Sequence, residues 1–394
     1  MHHELVENLT SVWWIALAAA VAPLLAIATR RYAPDVVWLL AFGTLIGPNL
    51  LGLAEQTEAV GFLRELGMGF LFLLAGFEVN TADMRAAQGK RAAATWMICA
   101  ALGIGASFFI VQGDWPAAIA FGIASTSTAL GTLLPILKDS GTMDTALGKA
   151  VMVHGAYGEL LPIVAMSLLL STRGTWVAAG LLVLFALIAV MAIAIPARFF
   201  RRVPLLARAF SKASNSTMQT MMRLTVLLLV SLMLVTAVFE LDVALGAFAA
   251  GILANAVLKA VKAEHAAEVM HKVEIVGFSF LIPVFFVTSG MNINLAQVAA
   301  QWPMLLGFVA LIILVRGLPV FLRERFAPRS SGRGGTRESL ALGFYAATGL
   351  PIIVAVTQLA ASSGILSEVT VSVMVTGGAL TVLIFPAAAK LLAR

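Results

Sequence analysis

Charged residues are scarce in this sequence: they make up 12% of its 394 residues, whereas a soluble chain carries about a quarter. Hydrophobic residues reach 60%, and the mean hydropathy is +0.97. A chain of this composition cannot hide its apolar surface in one globular core, so lipid must be the solvent for much of it. The sequence therefore predicts an all-α membrane protein, because membrane helices satisfy their own backbone polar groups.

Residues suited to metal binding or covalent chemistry are also few. Cys99 is the single cysteine, which excludes a disulfide framework and any multi-cysteine metal site. The five histidines form no cluster with ligand spacing, and no nucleophile, base and metal ligand form a recognisable set. The sequence predicts neither an enzyme nor a bound cofactor.

The apolar residues are grouped in long runs. A helix needs about 17–25 apolar residues to cross a hydrocarbon core of ~30 Å, and the chain has thirteen runs of about this length. They are 11–29, 35–53, 58–78, 92–112, 116–137, 150–172, 175–197, 219–239, 242–258, 273–290, 303–322, 338–361 and 368–389. The longest connections, 198–218 and 323–337, are basic and rich in Ser and Gly, and are predicted to be cytoplasmic linkers rather than soluble domains.

The basic residues predict an orientation. A net charge of +6 would suit a nucleic-acid-binding protein, but these residues lie in short segments between the apolar runs. If thirteen runs cross the membrane, 23 of the 26 lysines and arginines fall on one side. The positive-inside rule makes that side cytoplasmic, with the N-terminus outside and the C-terminus inside. We expect a multi-pass membrane protein without a nucleic-acid partner.

Two segments that lie seven spans apart have similar sequences. Ala75–Asn80 ends the third span and Ser289–Asn294 ends the tenth; each follows a Phe-rich run, and a glycine and an asparagine coincide. The two copies exit on opposite sides, as inverted repeats of secondary transporters do, although glycine-rich apolar helices can also look alike. The predicted parts of this single transmembrane domain, 1–394, are repeat one at 11–172, a linking helix at 175–197 and repeat two at 219–392.

Spans five and twelve carry residues unsuited to a lipid-facing helix at matched positions. Span five contains the hydroxyl run Ser125–Thr128, and span twelve contains Thr348-Gly349-Leu350-Pro351. Both segments fit discontinuous helices that cross and line a cavity. The alternative is that the hydroxyl groups bond to the preceding turn of an intact helix.

Glu159 lies near the centre of span six. An ionisable residue at this depth costs several kcal/mol and is a functional candidate. A carboxylate there binds either a proton or a metal cation, and this competition is the simplest basis for exchange. We expect Ser127 and Thr128 as further cation ligands, with Thr126 and Thr348 in support. The alternative is a structural carboxylate that pairs to hold helices together.

Arg316, in span eleven, lies at a depth close to that of Glu159, and a buried guanidinium needs partners. Its candidate partners are Glu159, Glu65 and Glu78. Alternatively, its side chain extends to the cytoplasmic surface. His154, five residues before Glu159, is either a pH-sensitive neighbour of the site or a packed polar residue.

Four segments in chain order carry a family resemblance: Leu66–Glu78, Ser127–Leu130, Leu245–Gly251 and Pro283–Met291. With them, the sequence resembles the monovalent cation:proton antiporter superfamily, particularly the branch of bacterial sodium/proton exchangers and Kef-type potassium efflux proteins. The resemblance covers essentially the whole chain. It implies exchange of Na⁺ or K⁺ for protons by a homodimer, in which a six-helix core bundle moves against a dimerisation domain by elevator-type alternating access. The resemblance to bacterial exchangers also implies a location in the bacterial inner membrane. Kef-type proteins carry a C-terminal nucleotide-binding regulatory domain, and because this sequence stops at Arg394 we expect that regulation to be absent.

The sequence departs from this family at one position. The sixth span of the family carries an adjacent pair such as Asp-Asp, Asn-Asp or Gln-Asp, whereas the pair here is Gly158-Glu159. Arg316 matches a basic residue that in some members pairs with the first position, and Gly158 offers it no side-chain group. Because the family links two acids to electrogenic exchange, a single acid implies electroneutral, one-for-one exchange.

Two other functional classes remain as alternatives. A sodium-coupled solute symporter would use a related ten-helix fold, against which the thirteen spans and the lone central carboxylate argue. A potassium-efflux protein of channel type would need a selectivity-filter loop, and the sequence contains no segment of that kind. The choice among Na⁺, K⁺ and Li⁺ is left open by the sequence.

Overall fold

The structure is a computed structural model that describes residues 2–29, 33–79, 81–170, 174–202, 218–261, 263–326 and 335–393. All regular secondary structure in these residues is helical, as predicted. The helices are α1 (His2–Ala28), α2 (Asp35–Ile46), α3 (Glu58–Glu78), α4 (Thr81–Arg85), α5 (Ala87–Ile110), α6 (Trp115–Ser125), α7 (Leu130–Asp139), α8 (Ala146–Leu169), α9 (Thr175–Arg202), α10 (Met218–Val238), α11 (Val243–Val261), α12 (Ala263–Val276), α13 (Ile282–Met291), α14 (Leu295–Ala300), α15 (Trp302–Ile312), α16 (Leu318–Phe326), α17 (Thr336–Ala346), α18 (Leu350–Ser362) and α19 (Glu368–Leu392).

Ten helical stretches of the described chain are long and apolar enough to cross a membrane. Three shorter apolar helices, Asp35–Ile46, Thr175–Met191 and Val243–Lys259, coincide with three further predicted runs. A 12-residue helix such as α2 is about 18 Å long, which is less than the ~30 Å of a hydrocarbon core. The multi-pass helical architecture is therefore confirmed, and the count of thirteen spans stays a prediction.

The apolar run 35–53 is only partly helical. α2 ends at Ile46 because Pro48 disfavours a helical conformation for Gly47, whose backbone is extended. The rest of the run folds back as turns: the backbone N–H of Leu53 donates to the Ile46 carbonyl at 2.9 Å. Hydropathy alone does not distinguish such turns from a continuing helix.

Spans five and twelve are interrupted where their sequences predicted. α6 ends at Ser125 and α7 begins at Leu130, while α17 ends at Ala346 and α18 begins at Leu350. Two other helical stretches contain a π-helical turn, Gly277–Leu281 between α12 and α13 and Ile313–Gly317 between α15 and α16. π-helical turns are frequent at functional sites, and the second one contains Arg316.

By its internal contacts the chain forms two compact units. The first comprises Met1–Arg64, Asn80–Leu170 and Pro283–Arg394, and the second comprises Glu65–Val79 and Ser171–Ile282. In the first unit, a side chain on Gly43 would overlap the Val287 carbonyl oxygen, and one on Gly290 would overlap the Leu40 carbonyl oxygen. α2 and α13 therefore approach each other at backbone distance.

The second unit contains a similar close crossing. A side chain on Gly76 of α3 would overlap the Phe248 carbonyl oxygen of α11, and one on Gly251 of α11 would overlap the Leu73 carbonyl oxygen. Asn255 of α11 donates through Nδ2 to the carbonyl oxygen of Phe77, near the end of α3. The glycine-containing motifs that sequence comparison singled out in spans three and ten thus each lie at a close helix crossing.

Several predictions concern residues outside the described ranges. Residues 203–217 and 327–334 form most of the two predicted linkers, and Asn80 belongs to the first copy of the repeated motif. The predicted cytoplasmic location of Arg30, Arg31, Arg208, Lys212, Lys262, Arg329, Arg333 and Arg394 concerns residues that likewise lie outside the described ranges.

Candidate functional site

The two interrupted helices meet within the first unit. The backbone N–H of Ala129 donates to the Thr348 carbonyl oxygen at 2.6 Å, and the Ser127 hydroxyl donates to the Gly349 carbonyl oxygen at 3.0 Å. The Thr128 hydroxyl donates to the Ala346 carbonyl oxygen. Three consecutive residues of one break are therefore bonded to the other break, and the groups freed by unwinding are satisfied across the crossing.

Gly349 makes this contact possible. A side chain at this position would overlap the Ser127 hydroxyl and come within 2.8 Å of the Ser127 carbonyl oxygen. The glycine in Thr348-Gly349-Leu350-Pro351 is therefore required by close approach of the two chains. Pro351, in the first turn of α18, has no N–H to leave unpaired there.

The hydroxyl groups near the two helix breaks differ in their hydrogen-bond partners. Thr126 donates to the Ile123 carbonyl oxygen at 2.8 Å, and Thr348, on the opposite segment, donates to Phe344 at 3.2 Å. Both are buried and bond to the preceding turn, as the alternative interpretation expected of such residues. Ser127 makes a similar bond to Ala124 at 2.7 Å in addition to its bond across the crossing.

Glu159 lies on α8 and is 1% exposed. Its Oε1 accepts a hydrogen bond of 3.1 Å from the backbone N–H of Leu130, the first residue of α7. Since the N-terminus of a helix presents unpaired N–H groups and a partial positive charge, α7 is oriented to stabilise this carboxylate. Among the described residues, Oε2 of Glu159 has no hydrogen-bond partner.

Arg316 is fully buried. Its Nη2 donates to the His154 carbonyl oxygen at 2.8 Å and to the Thr128 hydroxyl at 2.9 Å. Its Nε donates to the same hydroxyl at 3.1 Å and to the Ala346 carbonyl oxygen at 3.4 Å. The alternative that this side chain extends to the membrane surface is wrong, because the guanidinium is buried among α5, α8 and the two breaks.

The partners of Arg316 differ from the predicted acids. In the described part of the chain its hydrogen bonds go to carbonyl and hydroxyl oxygens and, at 4.0 Å, to the Cys99 sulfur. None goes to Glu159, Glu65 or Glu78. Arg316 therefore provides a positive charge near the crossing without neutralising the carboxylate of Glu159 by a direct ion pair.

Gly158 leaves space for the guanidinium. A Cβ atom at position 158 would overlap both Nη2 of Arg316 and the Thr128 hydroxyl. The Gly158 carbonyl oxygen accepts a hydrogen bond of 2.9 Å from the backbone N–H of Thr128. The residue next to Glu159 thus lacks a polar side chain because the arginine and threonine occupy that volume.

His154 binds Arg316 through its backbone carbonyl and contacts another acidic residue, Glu324, through its imidazole ring. Its carbonyl oxygen binds Arg316, and its Nε2 lies 3.1 Å from Oε1 of Glu324 on α16. Both side chains are buried, at 1% and 9% exposure. His154 therefore connects α8 to α16, beyond the packed polar role considered from the sequence.

Several groups of this site could not be identified from the sequence. The Leu130 N–H and the carbonyls of His154 and Ala346 are backbone groups, which no side-chain pattern reveals. Glu324 could have been considered from the sequence, because it follows Arg316 by eight residues and therefore lies about two helical turns away on the same helical stretch. No cluster of three or more His, Cys, Asp or Glu able to hold a resident metal occurs in the ranges that the structure describes.

The arrangement suits reversible binding of one positive charge. Glu159 supplies an enclosed carboxylate with one oxygen held by a helix N-terminus and the other available to a proton or a cation. The neighbouring breaks supply hydroxyl and carbonyl oxygens, which are the ligands that alkali cations share with other hard cations.

The chain is similar to several known proteins. A family model described as "Sodium/hydrogen exchanger, transmembrane" matches residues 16–394. The Na(+)/H(+)-K(+) antiporter GerN of Bacillus cereus is 24% identical over 369 residues, covering 91% of this chain and 90% of that protein. A glutathione-regulated potassium-efflux system protein of Haemophilus influenzae is 25% identical over 81% of this chain, which spans about half (51%) of that protein.

A solved structure has the same overall fold. The sodium proton antiporter MjNhaP1 from Methanocaldococcus jannaschii superimposes with a TM-score of 0.66 at 19% identity, covering 98% of both chains. At this identity the likeness concerns the fold, and the roles of individual residues must be argued from their own contacts.

Proposed function

This chain belongs to the sodium/hydrogen exchanger family, and we propose that it exchanges a monovalent cation, Na⁺ or K⁺, for protons through Glu159. The family consists of transporters, so the chain is not an enzyme. The observation that carries the proposal is the enclosed carboxylate of Glu159, with one oxygen bonded to the Leu130 N–H and the other without a partner in the described structure.

Competition at this carboxylate produces exchange. A proton bound to Oε2 removes the negative charge that attracts a cation, and a bound cation excludes the proton. Each form places one positive charge on one carboxylate, so the loaded site has the same net charge in both directions of transport. Arg316 stays protonated throughout, and we propose electroneutral, one-for-one exchange.

The remaining ligands come from the crossing. A hydroxyl group offers one proton and two acceptor lone pairs. Ser127 shares its one hydroxyl proton between the carbonyl oxygens of Ala124 and Gly349 and accepts no bond, so its lone pairs remain for a cation. Thr128 accepts two bonds from Arg316 and donates one to Ala346, so in this conformation its hydroxyl is fully used. We therefore favour Ser127 as a cation ligand and assign Thr128 to positioning Arg316.

We also propose thirteen spans arranged as two inverted six-helix repeats joined by span seven, and two close helix crossings support this arrangement. Gly76 in the motif of span three packs on Phe248 of span nine, and Gly290 in the matching motif of span ten packs on Leu40 of span two. If span three corresponds to span ten, span two corresponds to span nine, so one contact is the counterpart of the other. We further propose a homodimer in the bacterial inner membrane with a cytoplasmic C-terminus, in which the crossing moves by an elevator-type transition.

Proton flux in proteoliposomes tests this function. Wild-type protein, trapped with a pH-sensitive dye, should change the internal pH when Na⁺ or K⁺ is added. Glu159→Gln should abolish the response, because the neutral amide has no negative charge and cannot take up a proton in exchange for a cation, while Glu159→Asp should retain part of it. Glu58→Gln, a matched change at an exposed position at the start of α3, should behave like the wild type.

The same vesicles distinguish the alternatives. Cation-driven proton flux that persists in Glu159→Gln would overturn the role of Glu159. A membrane potential set with valinomycin and K⁺ should leave the initial rate of Na⁺-driven exchange unchanged, and a rate that follows the potential would contradict one-for-one exchange. Cation entry without any proton movement would instead favour a symporter or channel.

A further inference from the structure

A cavity of about 540 Å³ lies in the first unit, apart from Glu159. It forms where α5 ends, α6 and α15 begin, and the segment between α18 and α19 passes over them. Its floor contains Phe121 of α6 and Phe308 of α15, both 1% exposed, with ring centroids 4.8 Å apart in an edge-to-face contact. The function proposed above makes no use of this cavity.

The lining of the cavity is apolar and uncharged. Its walls include Ile110, Met304 and Leu366, and none of the lining residues is ionisable. Polar groups are confined to Gln112, Ser367 and Thr370, all of which belong to the connecting segments or the first turn of α19. The cavity thus has an apolar body and one polar edge.

Two tryptophans indicate the level of this cavity in the membrane. Trp115 and Trp302 are the first residues of α6 and α15 and are 59% and 60% exposed. Exposed tryptophans at the ends of membrane helices favour the boundary between headgroups and acyl chains. The exposed apolar residues Phe109 and Leu306 adjoin the cavity, so its wall is continuous with the lipid-facing surface of the protein.

We propose that this cavity binds an acyl chain of a membrane phospholipid, with the ester region of the lipid beside Gln112, Ser367 and Thr370. The volume lies within the ~300–1,000 Å³ of small-molecule sites. Apolar walls give water too few hydrogen-bond partners to remain ordered there. The bilayer supplies acyl chains at high concentration at this level, and their apolar body and polar ester match the two parts of the cavity.

Gly307 provides the test. It lines the cavity, and a Cβ atom added there would meet no atom within 4 Å, so the wall has room for a side chain and a leucine would take up part of the cavity. Gly105 on α5 is equally open and does not line the cavity, which makes Gly105→Leu the matched control. The probe is a phosphatidylglycerol with a diazirine in its acyl chain, reconstituted with the full-length protein and photolysed, and labelled peptides are quantified by mass spectrometry.

Labelling of residues 303–308 should saturate with probe and compete with unlabelled phosphatidylglycerol. It should fall about fivefold or more in Gly307→Leu, whose side chain takes space from the acyl chain. The Gly105→Leu control should label like the wild type. Labelling that rises linearly with probe and does not compete would show contact with bulk lipid only and overturn the proposal. Equal labelling in Gly307→Leu and Gly105→Leu would also overturn it. If Gly307→Leu does not fold, saturation and competition in the wild type decide the outcome.

Discussion

The guanidinium of Arg316 occupies the volume that a side chain at position 158 would fill. Nη2 and the Thr128 hydroxyl both lie where a Cβ atom of residue 158 would be placed. The size of residue 158, which precedes Glu159, therefore decides where Arg316 lies: the guanidinium takes its present position only because residue 158 is glycine. The position next to Glu159 is occupied by a fixed positive charge held by neutral oxygens.

We expect Gly158→Ala to be strongly destabilising. The methyl group would overlap two groups that are themselves held by hydrogen bonds, and overpacking of this kind costs about 1–3 kcal/mol. Thermal unfolding in detergent measures the effect. Gly61→Ala on α3, where an added Cβ meets no atom within 4 Å, should unfold like the wild type.

A double-substitution cycle extends this test. Replacing Arg316 by alanine removes one of the two overlapping groups, so Gly158→Ala should cost less in that background than in the wild type. Additive effects of the two substitutions would show that the residues do not share this space.

Arg316→Lys should lower both stability and transport, although it keeps the charge. A lysine ammonium cannot reproduce the fork that reaches His154, Thr128 and Ala346 together. Each buried acceptor left unpaired costs about 1–3 kcal/mol. Thermal unfolding and cation-driven proton flux would be measured on the same preparation. Wild-type values for both would show that the fork is dispensable.

Ser127 and Thr128 should respond differently to loss of their hydroxyls. Ser127→Ala removes lone pairs available to a cation, and we expect the apparent cation KM to rise about tenfold, the effect of losing roughly 1.4 kcal/mol of binding. Thr128→Val removes the acceptor for two Arg316 bonds, so its main effect should be a lower unfolding temperature. Concentration-dependent exchange rates together with melting curves separate the two outcomes, and the reverse pattern would contradict the assigned roles.

Acidification should raise the apparent cation KM of the wild-type protein. If protons and cations compete for Glu159, the KM rises by up to about tenfold per pH unit wherever the carboxylate is mostly protonated. The maximal rate at saturating cation should change much less. Exchange rates at several cation concentrations and pH values measure this. A KM independent of pH, with a falling maximal rate, would place the proton at another group.

Residue types at matched positions were sufficient to predict the two broken helices. Four consecutive hydroxyl residues and a Thr-Gly-Leu-Pro sequence are unfavourable in a lipid-facing helix, so their chemistry reveals the breaks at Ser125 and Ala346. Burial of Glu159 followed similarly from its depth in an apolar run. Both predictions rest on the free-energy cost of placing polar groups in lipid, and this cost can be judged from the residue types alone.

The partners of Arg316 could not be predicted in the same way. The positive charge of Arg316 predicted an acidic partner, but the guanidinium donates to the backbone carbonyl oxygens of His154 and Ala346. Every residue type has a backbone carbonyl, so the sequence does not indicate which ones accept these bonds. Likewise, the apolar run 35–53 was longer than α2, because the turns after Pro48 are as apolar as a helix. Backbone geometry, which hydropathy does not report, decides both cases.

The hydrogen bonds between residues 127–129 and 346–349 make the two breaks mutually dependent. The Ser127 hydroxyl fits only while residue 349 lacks a side chain, and the Thr348 carbonyl is satisfied only while Ala129 keeps its extended approach. A larger residue at 349 would meet both the hydroxyl and the backbone carbonyl of Ser127, so a change in either break would displace the other. The two half-helix pairs are therefore joined at the crossing, and in the elevator-type transition proposed above a displacement of one pair would carry the other with it.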